Sequence, residues 1–203
     1  TNKSFSWTGE EIENRIAKIC KNKGINFYSI TDNFLSDITK ISYIKIFSSF
    51  FNEWKKNLDL KILEAPSQIN TPILEEPTIY SLQGEIKYTL NSLWPIEMGL
   101  RRIESFDFLS YEYTRNRLDI DGTSKLSPYI RFGLISLRKL YNKVSEISGN
   151  ECQFIKELAW REFWYHIKIN FPEFKNLEFQ EKRRNIPWQN REDFIDSFSN
   201  ART

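Results

Sequence analysis

The residues that could do chemistry concentrate in one stretch, Phe154-Ile155-Lys156-Glu157-Leu158-Ala159-Trp160-Arg161-Glu162-Phe163-Trp164-Tyr165-His166. On a helix, Glu157, Trp160, Arg161 and Trp164 stand at i, i+3, i+4 and i+7 and share one face. That face combines a carboxylate acceptor, a guanidinium fork and two large aromatic planes. A flat base stacked on such a plane gains about 1–3 kcal/mol, and Glu157 can accept a hydrogen bond from an imide N–H of that base. Arg161 suits a phosphate or the polar edge of a flat heterocycle. The same spacing also fits a buried tryptophan pair beside a Glu157–Arg161 ion pair. His166, alone on such a helix, reads as a hydrogen-bonded structural residue rather than a general base.

A second stretch, Thr123-Ser124-Lys125-Leu126-Ser127-Pro128, places three hydroxyls in five residues directly before a proline. Proline suits the first turn of a helix, where its missing amide costs nothing, which makes Ser127 the expected N-cap. Gly133 can end this short helix and Ser136 can cap the next, beginning at Leu137. A hydroxyl-rich loop opening onto a helix N-terminus binds anions, because free amides and the positive dipole end point outward. Ordinary helix capping is the competing use of these residues.

The elements that must position the two stretches are mostly helical. Thr8-Gly9-Glu10-Glu11 has capping-box spacing, and Ile12, Ile16, Ile19 and Cys20 continue one apolar face until Gly24. Ile25 to Ile30 alternates and reads as a strand, so the first thirty residues resemble the tail of an α/β unit whose strand needs partners. Tyr43, Phe47, Phe50, Phe51, Trp54 and Leu58 keep helical spacing. Residues 59–83 hold Pro66, Pro72 and Pro77 without a period and read as an interdomain connection. Helical patterns follow at about 84–109, 128–133, 137–148, 151–170 and 190–199.

Composition narrows the chemistry. The chain has 203 residues with one His and two Cys, which excludes a zinc site built from several histidines and argues against His-centred hydrolysis or a disulfide framework. Two cysteines far apart suit a reducing, cytoplasmic setting. No apolar run reaches the roughly 18 residues of a membrane span. Seven glycines make a Gly-rich nucleotide loop unexpected. Residues 1–100 carry 11 basic and 12 acidic side chains and residues 101–203 carry 18 and 15, so the later half is mildly basic, which suits contact with a phosphate backbone and equally an ordinary solvated surface. Thr1 is not an initiator Met, so the chain is expected to begin inside a longer product.

In order along the chain, Tyr111-x-x-x-Arg115, Gly122-Thr123-Ser124-Lys125-Leu126-Ser127-Pro128-Tyr129-Ile130-Arg131-Phe132-Gly133 and Glu157-Leu158-Ala159-Trp160-Arg161-Glu162-Phe163 resemble consecutive motifs of the DNA photolyase/cryptochrome flavoprotein family, most closely a class I cyclobutane pyrimidine dimer photolyase. Tyr43 to Trp54 is similar to the segment leaving that family's α/β antenna domain, and Trp94-Pro95-Ile96-Glu97 to Phe106 to the first helix of its flavin domain. The resemblance implies a mainly α fold: residues 1–58 end the antenna domain, 59–83 link, and 84–203 form the first half of an all-helical FAD-binding domain. It implies that Tyr111, Thr123, Ser124, Lys125, Leu126 and Ser127 hold the FAD phosphates and ribityl chain. Arg161 would sit by the flavin, and Phe154 replaces a frequent Trp against it.

The same resemblance assigns Glu157 and Trp160 to hydrogen bonding and stacking on a flipped-out pyrimidine dimer, with Arg115, Arg161 and Trp164 also on the DNA side. Trp188, in Ile186-Pro187-Trp188-Gln189, would end the electron chain that reduces the flavin. The basic residues Lys182, Arg183 and Arg184 are further candidates for DNA steering. The implied activity is light-driven dimer splitting in UV-damaged DNA by a monomer with no membrane contact. A second antenna chromophore, of folate or deazaflavin type, would belong to the whole protein, and the 203 residues alone are expected to be inactive. A cryptochrome-type photoreceptor and a flavin-free helical nucleic-acid- or protein-binding module are the alternatives.

Overall fold

The computed structural model describes residues 3–64, 66–68, 94–178 and 180–202. Two compact units divide the chain, Thr1–His166 and Ile167–Thr203. The expected connection at 59–83 and the first part of the expected helix at 84–109 lie largely outside the described residues.

In the first unit, α1 (Trp7–Asn22), α2 (Phe47–Lys56), α3 (Ile96–Ser105), α4 (Tyr111–Thr114), α5 (Ser127–Arg131) and α6 (Leu137–Ser148) precede the long α7 (Gln153–Asn170), which runs into the second. Among the described residues there is no strand. Residues 25–30, expected to form one, build no strand ladder, and Lys3 N–H donates to the Ile30 carbonyl at 2.8 Å. Alternation suits an extended chain, but a strand also needs a ladder of partners. The cap of α1 is likewise Ser6 rather than Thr8, its hydroxyl accepting from Gly9 N–H at 3.1 Å. The apolar stripe of α1 is present yet outward: Ile12, Ile16 and Ile19 are 43–54% exposed.

The core of this unit is aromatic. Phe50 and Trp54 of α2 are fully buried, as are Leu140 and Val144 of α6 and Ile155 and Ala159 of α7. Phe50 meets Phe163 edge-on at 5.2 Å, and Trp54 meets Tyr141 at 6.1 Å. The loop after Ile30 adds Phe34, which lies 5.2 Å from Tyr165. Such pairs contribute roughly 0.5–1.5 kcal/mol each beyond their area. They fix α7 against α2 and the loop from Thr31 to Tyr43, and thereby the direction in which α7's polar side chains point.

The second unit contains the remainder of α7, two 3-10 turns (Pro172–Lys175 and Glu181–Arg183) and α8 (Glu192–Ser199). Lys182, Arg183 and Arg184 sit in an exposed turn there, with Arg184 Nε donating to the Glu178 carbonyl at 2.9 Å. Among the described residues no helix is long and apolar enough to cross a membrane.

Candidate functional site

The loop between α4 and α5 is built by backbone geometry. Lys125 takes φ +53°, a left-handed conformation uncommon for a residue with a Cβ, and its ammonium pairs with Asp121. This turns the chain so that Ser124 Oγ accepts from Leu126 N–H at 3.4 Å. The helix then starts one residue earlier than expected: Ser127 is its first residue, Leu126 stands at the cap position, and no side chain caps it. Ser127 itself is exposed. Gly133 at φ +66° ends the segment, and Ser136 caps α6 by accepting from Lys139 N–H at 3.4 Å, both as expected.

This loop, α4, α5 and α7 line an open cavity of about 400 Å³ formed by Tyr111, Ser124, Leu126, Ser127, Ile130, Arg131, Phe154, Glu157, Leu158 and Arg161. Seven of the residues singled out in sequence converge there from three separate motifs. Phe154 forms one wall, buried, with Tyr111 edge-on at 5.1 Å and Phe108 at 4.8 Å. Arg131 and Arg161 bring two guanidinium groups against a single carboxyl, Glu157, so the cavity favours an anionic ligand. Thr123 faces a neighbouring cavity of about 270 Å³, which shares Ser124 and is also lined by Arg102, Ser105, Ser110 and Gly122. Lys125 lines neither cavity.

Glu157 does not pair with Arg161, as i,i+4 spacing allowed. Its Oε1 accepts from the Arg115 guanidinium and from Gln153 Nε2, the latter at 2.7 Å. That bond raises the Arg115 pKa, while burial first and the Glu157 charge second push the Tyr111 phenol up. Arg161 instead donates to the Asn33 carbonyl at 2.6 Å, with its guanidinium carbon 5.9 Å from the Phe34 ring centre and 5.5 Å from that of Tyr165. Burial pushes its pKa down, and the Arg131 charge acts in the same direction.

Trp160 is not among the cavity residues. Its ring lies parallel to that of Phe47 at 3.7 Å, and Trp164, about half exposed, stacks at 6.1 Å. Sequence spacing places Trp160 beside Glu157 on one face of α7, and Phe47 of α2 stacks on Trp160 there. Trp188 lies in the second unit with 77% of its surface exposed.

Two polar residues of α7 were not singled out for any interaction with the loop. Glu162, 1% exposed, accepts from Leu35 N–H at 2.5 Å, Ser36 N–H at 3.2 Å, Ser36 Oγ at 3.1 Å and Trp54 Nε1 at 2.7 Å. Burial pushes its pKa up against the pull of these four donors. His166, fully buried, accepts from Ile44 N–H at 3.2 Å through Nε2, the hydrogen-bonded role expected of it. A polar residue falling between Arg161 and Phe163 on the core side of α7 was the available sequence signal for Glu162. Among the described residues no group of His, Cys, Asp and Glu could hold a metal ion.

No family model matches the chain. It is 25% identical over 214 residues to the deoxyribodipyrimidine photo-lyase of Alkalihalophilus pseudofirmus, covering 96% of this chain and 44% of that protein. It is 34% identical over 164 residues to cryptochrome-1 of Erithacus rubecula, covering 69% of this chain and 26% of that protein. A crystal structure of the archaeal photolyase of Sulfolobus tokodaii with two FAD molecules superposes with a TM-score of 0.68 at 20% identity, over 100% of this chain and 45% of that one. The chain thus spans less than half the length of these relatives. Helical architecture, ordered motifs and relatives agree: the chain belongs to the DNA photolyase/cryptochrome family.

Proposed function

We propose that the protein carrying this chain is a deoxyribodipyrimidine photo-lyase, a DNA-repair flavoprotein that splits cyclobutane pyrimidine dimers in UV-damaged DNA under light. The observation that carries this reading is the convergence of Tyr111, Ser124, Ser127, Phe154, Glu157 and Arg161 on one cavity. The donor set fits FAD: three hydroxyls and two guanidinium groups suit a diphosphate and a polyol, and Phe154 offers a flat apolar wall. Tyr111, Ser124, Leu126, Ser127, Phe154 and Arg161 would hold the cofactor, with Thr123 and Lys125 on the loop that frames it. Reduced FAD, when bound, supplies the electron that opens the cyclobutane ring after excitation. Residues 1–58 would then end the antenna domain, 59–83 link, and 84–203 begin the flavin domain, with a folate- or deazaflavin-type antenna elsewhere in the protein.

The chain's own residues place the lesion. Glu157 would accept an imide N–H of a flipped-out pyrimidine, held in place by Arg115 and Gln153. Trp160, three residues on along α7, would stack on it. Arg115 and the Lys182–Arg184 turn would contribute phosphate contacts. Trp188, exposed, suits the outer end of a flavin-reducing electron chain.

The 34% identity to a cryptochrome supports a second reading, a blue-light photoreceptor using the same pocket without repair. The test is a repair assay with the full-length protein on an oligonucleotide carrying one cyclobutane dimer, illuminated and dark. Light-dependent dimer loss, reduced at least tenfold by Trp160→Ala and by Glu157→Gln with flavin content unchanged, is the expected result. Flavin photoreduction without dimer loss would replace this reading with the photoreceptor.

A further inference from the structure

Neighbouring polar residues of α7 grip one short stretch of backbone from two sides. Arg161 donates to the Asn33 carbonyl at 2.6 Å, and Glu162 accepts from the amides of Leu35 and Ser36 at 2.5 and 3.2 Å and from the Ser36 hydroxyl at 3.1 Å. Successive helical residues point about 100° apart, so Arg161 reaches the cavity while Glu162 enters the core. The turn Asn33–Ser36 bridges the two directions. Phe34, Leu35 and Ser36 are all at most 5% exposed, so the turn is part of the core rather than a surface loop.

We propose that Glu162 is a positioning residue for Arg161: it fixes the Asn33–Ser36 turn, and that turn holds the Arg161 guanidinium at the wall of the cavity. Arginine is long and loses much rotamer freedom when fixed, so its placement needs a rigid receiver. Glu162 supplies the rigidity, since its two oxygens satisfy three donors of that turn and would leave them buried and unpaired if removed. Trp54 Nε1, the fourth donor, belongs to α2 and not to the turn. The consequence for flavin binding rests on the reading of the cavity given above; the positional claim does not.

Two readouts on the full-length protein separate these claims. In ¹⁵N-detected spectra of the arginine side chains, Arg161, assigned by its loss in Arg161→Lys, is expected to give a dispersed, slowly exchanging guanidinium signal. Glu162→Gln keeps the volume but turns an amide N–H₂ toward donors, and the signal should collapse into that of exposed arginines. Should Glu162→Gln fail to fold, Ser36→Ala removes one bond of the turn and should speed guanidinium exchange at least threefold. Trp54→Phe removes a bond outside the turn and should leave that exchange unchanged. In FAD titrations, Glu162→Gln should weaken binding about tenfold in an otherwise wild-type protein and by less than twofold in an Arg161→Ala background. An Arg161 signal indifferent to Glu162→Gln or Ser36→Ala, or fully additive losses of FAD affinity, would overturn the proposal. A protein that binds no FAD would refute the flavin reading, while the arginine signal would still decide the role of Glu162.

Discussion

Replacing Gly122 by alanine sets a methyl group 2.3 Å from the Thr114 carbonyl oxygen, 2.7 Å from its carbon and 2.8 Å from the Thr114 Cβ. An ordinary carbon–oxygen contact lies near 3.3–3.6 Å, so the loop must retreat by about 1 Å. It cannot do so freely: Thr114 Oγ1 donates to the Gly122 carbonyl at 3.2 Å, and Gly122 N–H donates to the Ile120 carbonyl at 3.0 Å. Overpacking of this kind costs about 1–3 kcal/mol. The displaced loop carries Thr123 and Ser124, and a 1 Å misplacement of binding groups weakens a site by up to about a hundredfold. Urea unfolding of the full-length protein should therefore show a loss of about 1–3 kcal/mol, and flavin fluorescence titration a roughly 10–100-fold weaker FAD affinity. Gly24→Ala is the control, because its Cβ would meet nothing within 4 Å and its φ of +67° imposes only a backbone cost. It should lose about 1 kcal/mol and leave FAD affinity within twofold. If Gly122→Ala matched Gly24→Ala in both assays, the close approach of the loop to α4 would not constrain the site.

Trp54→Phe deletes an indole donor 2.7 Å from a fully buried carboxyl and is expected to cost about 1–3 kcal/mol by urea denaturation with an unchanged slope; a loss under about 0.5 kcal/mol would contradict the bonding of Glu162. His166 is the chain's one histidine, and burial holds its pKa below the ordinary value near 6.5. A depressed base contributes stability that is complete above about pH 6.5 and is lost as pH falls toward and through its folded value, so stability should fall on acidification and His166→Gln should flatten that fall; an NMR titration with a midpoint at or above 6.5 would refute it. Arg115→Ala removes a pair whose side chains are 28% and 35% exposed, so less than about 1 kcal/mol of stability should be lost. The slope of log affinity for DNA against log salt should drop by about 1 if Arg115 meets a phosphate, and not at all if its role is confined to Glu157.

The reach of the sequence differed between contacts within an element and contacts between elements. The helices at α2, α6 and α7, the terminating Gly133 and the Ser136 cap were all legible, because periodicity, capping and positive φ are set within a few residues. The strand at 25–30 was not, since alternation cannot say whether a neighbour exists to complete the ladder. At the site, motif order placed Tyr111, Ser124, Ser127, Phe154, Glu157 and Arg161 together. It could not give the partner of each charge, because Arg115 and Asn33 lie 42 and 128 positions from Glu157 and Arg161. Helical spacing alone suggested a Glu157–Arg161 pair, and tertiary partners outcompeted it. Trp160 does not line the cavity, and the parallel Phe47 ring beside it, 113 positions away in sequence, is a feature no local pattern announces.

The most direct test of the central claim is the absorption spectrum of the purified full-length protein, recorded before and after illumination with a dimer-bearing oligonucleotide and paired with counts of remaining dimers. Flavin bands at about one FAD per protein, weakened in Arg161→Ala, together with light-dependent loss of dimers, are the predicted result. A colourless protein that retains no flavin when refolded with excess FAD would contradict it.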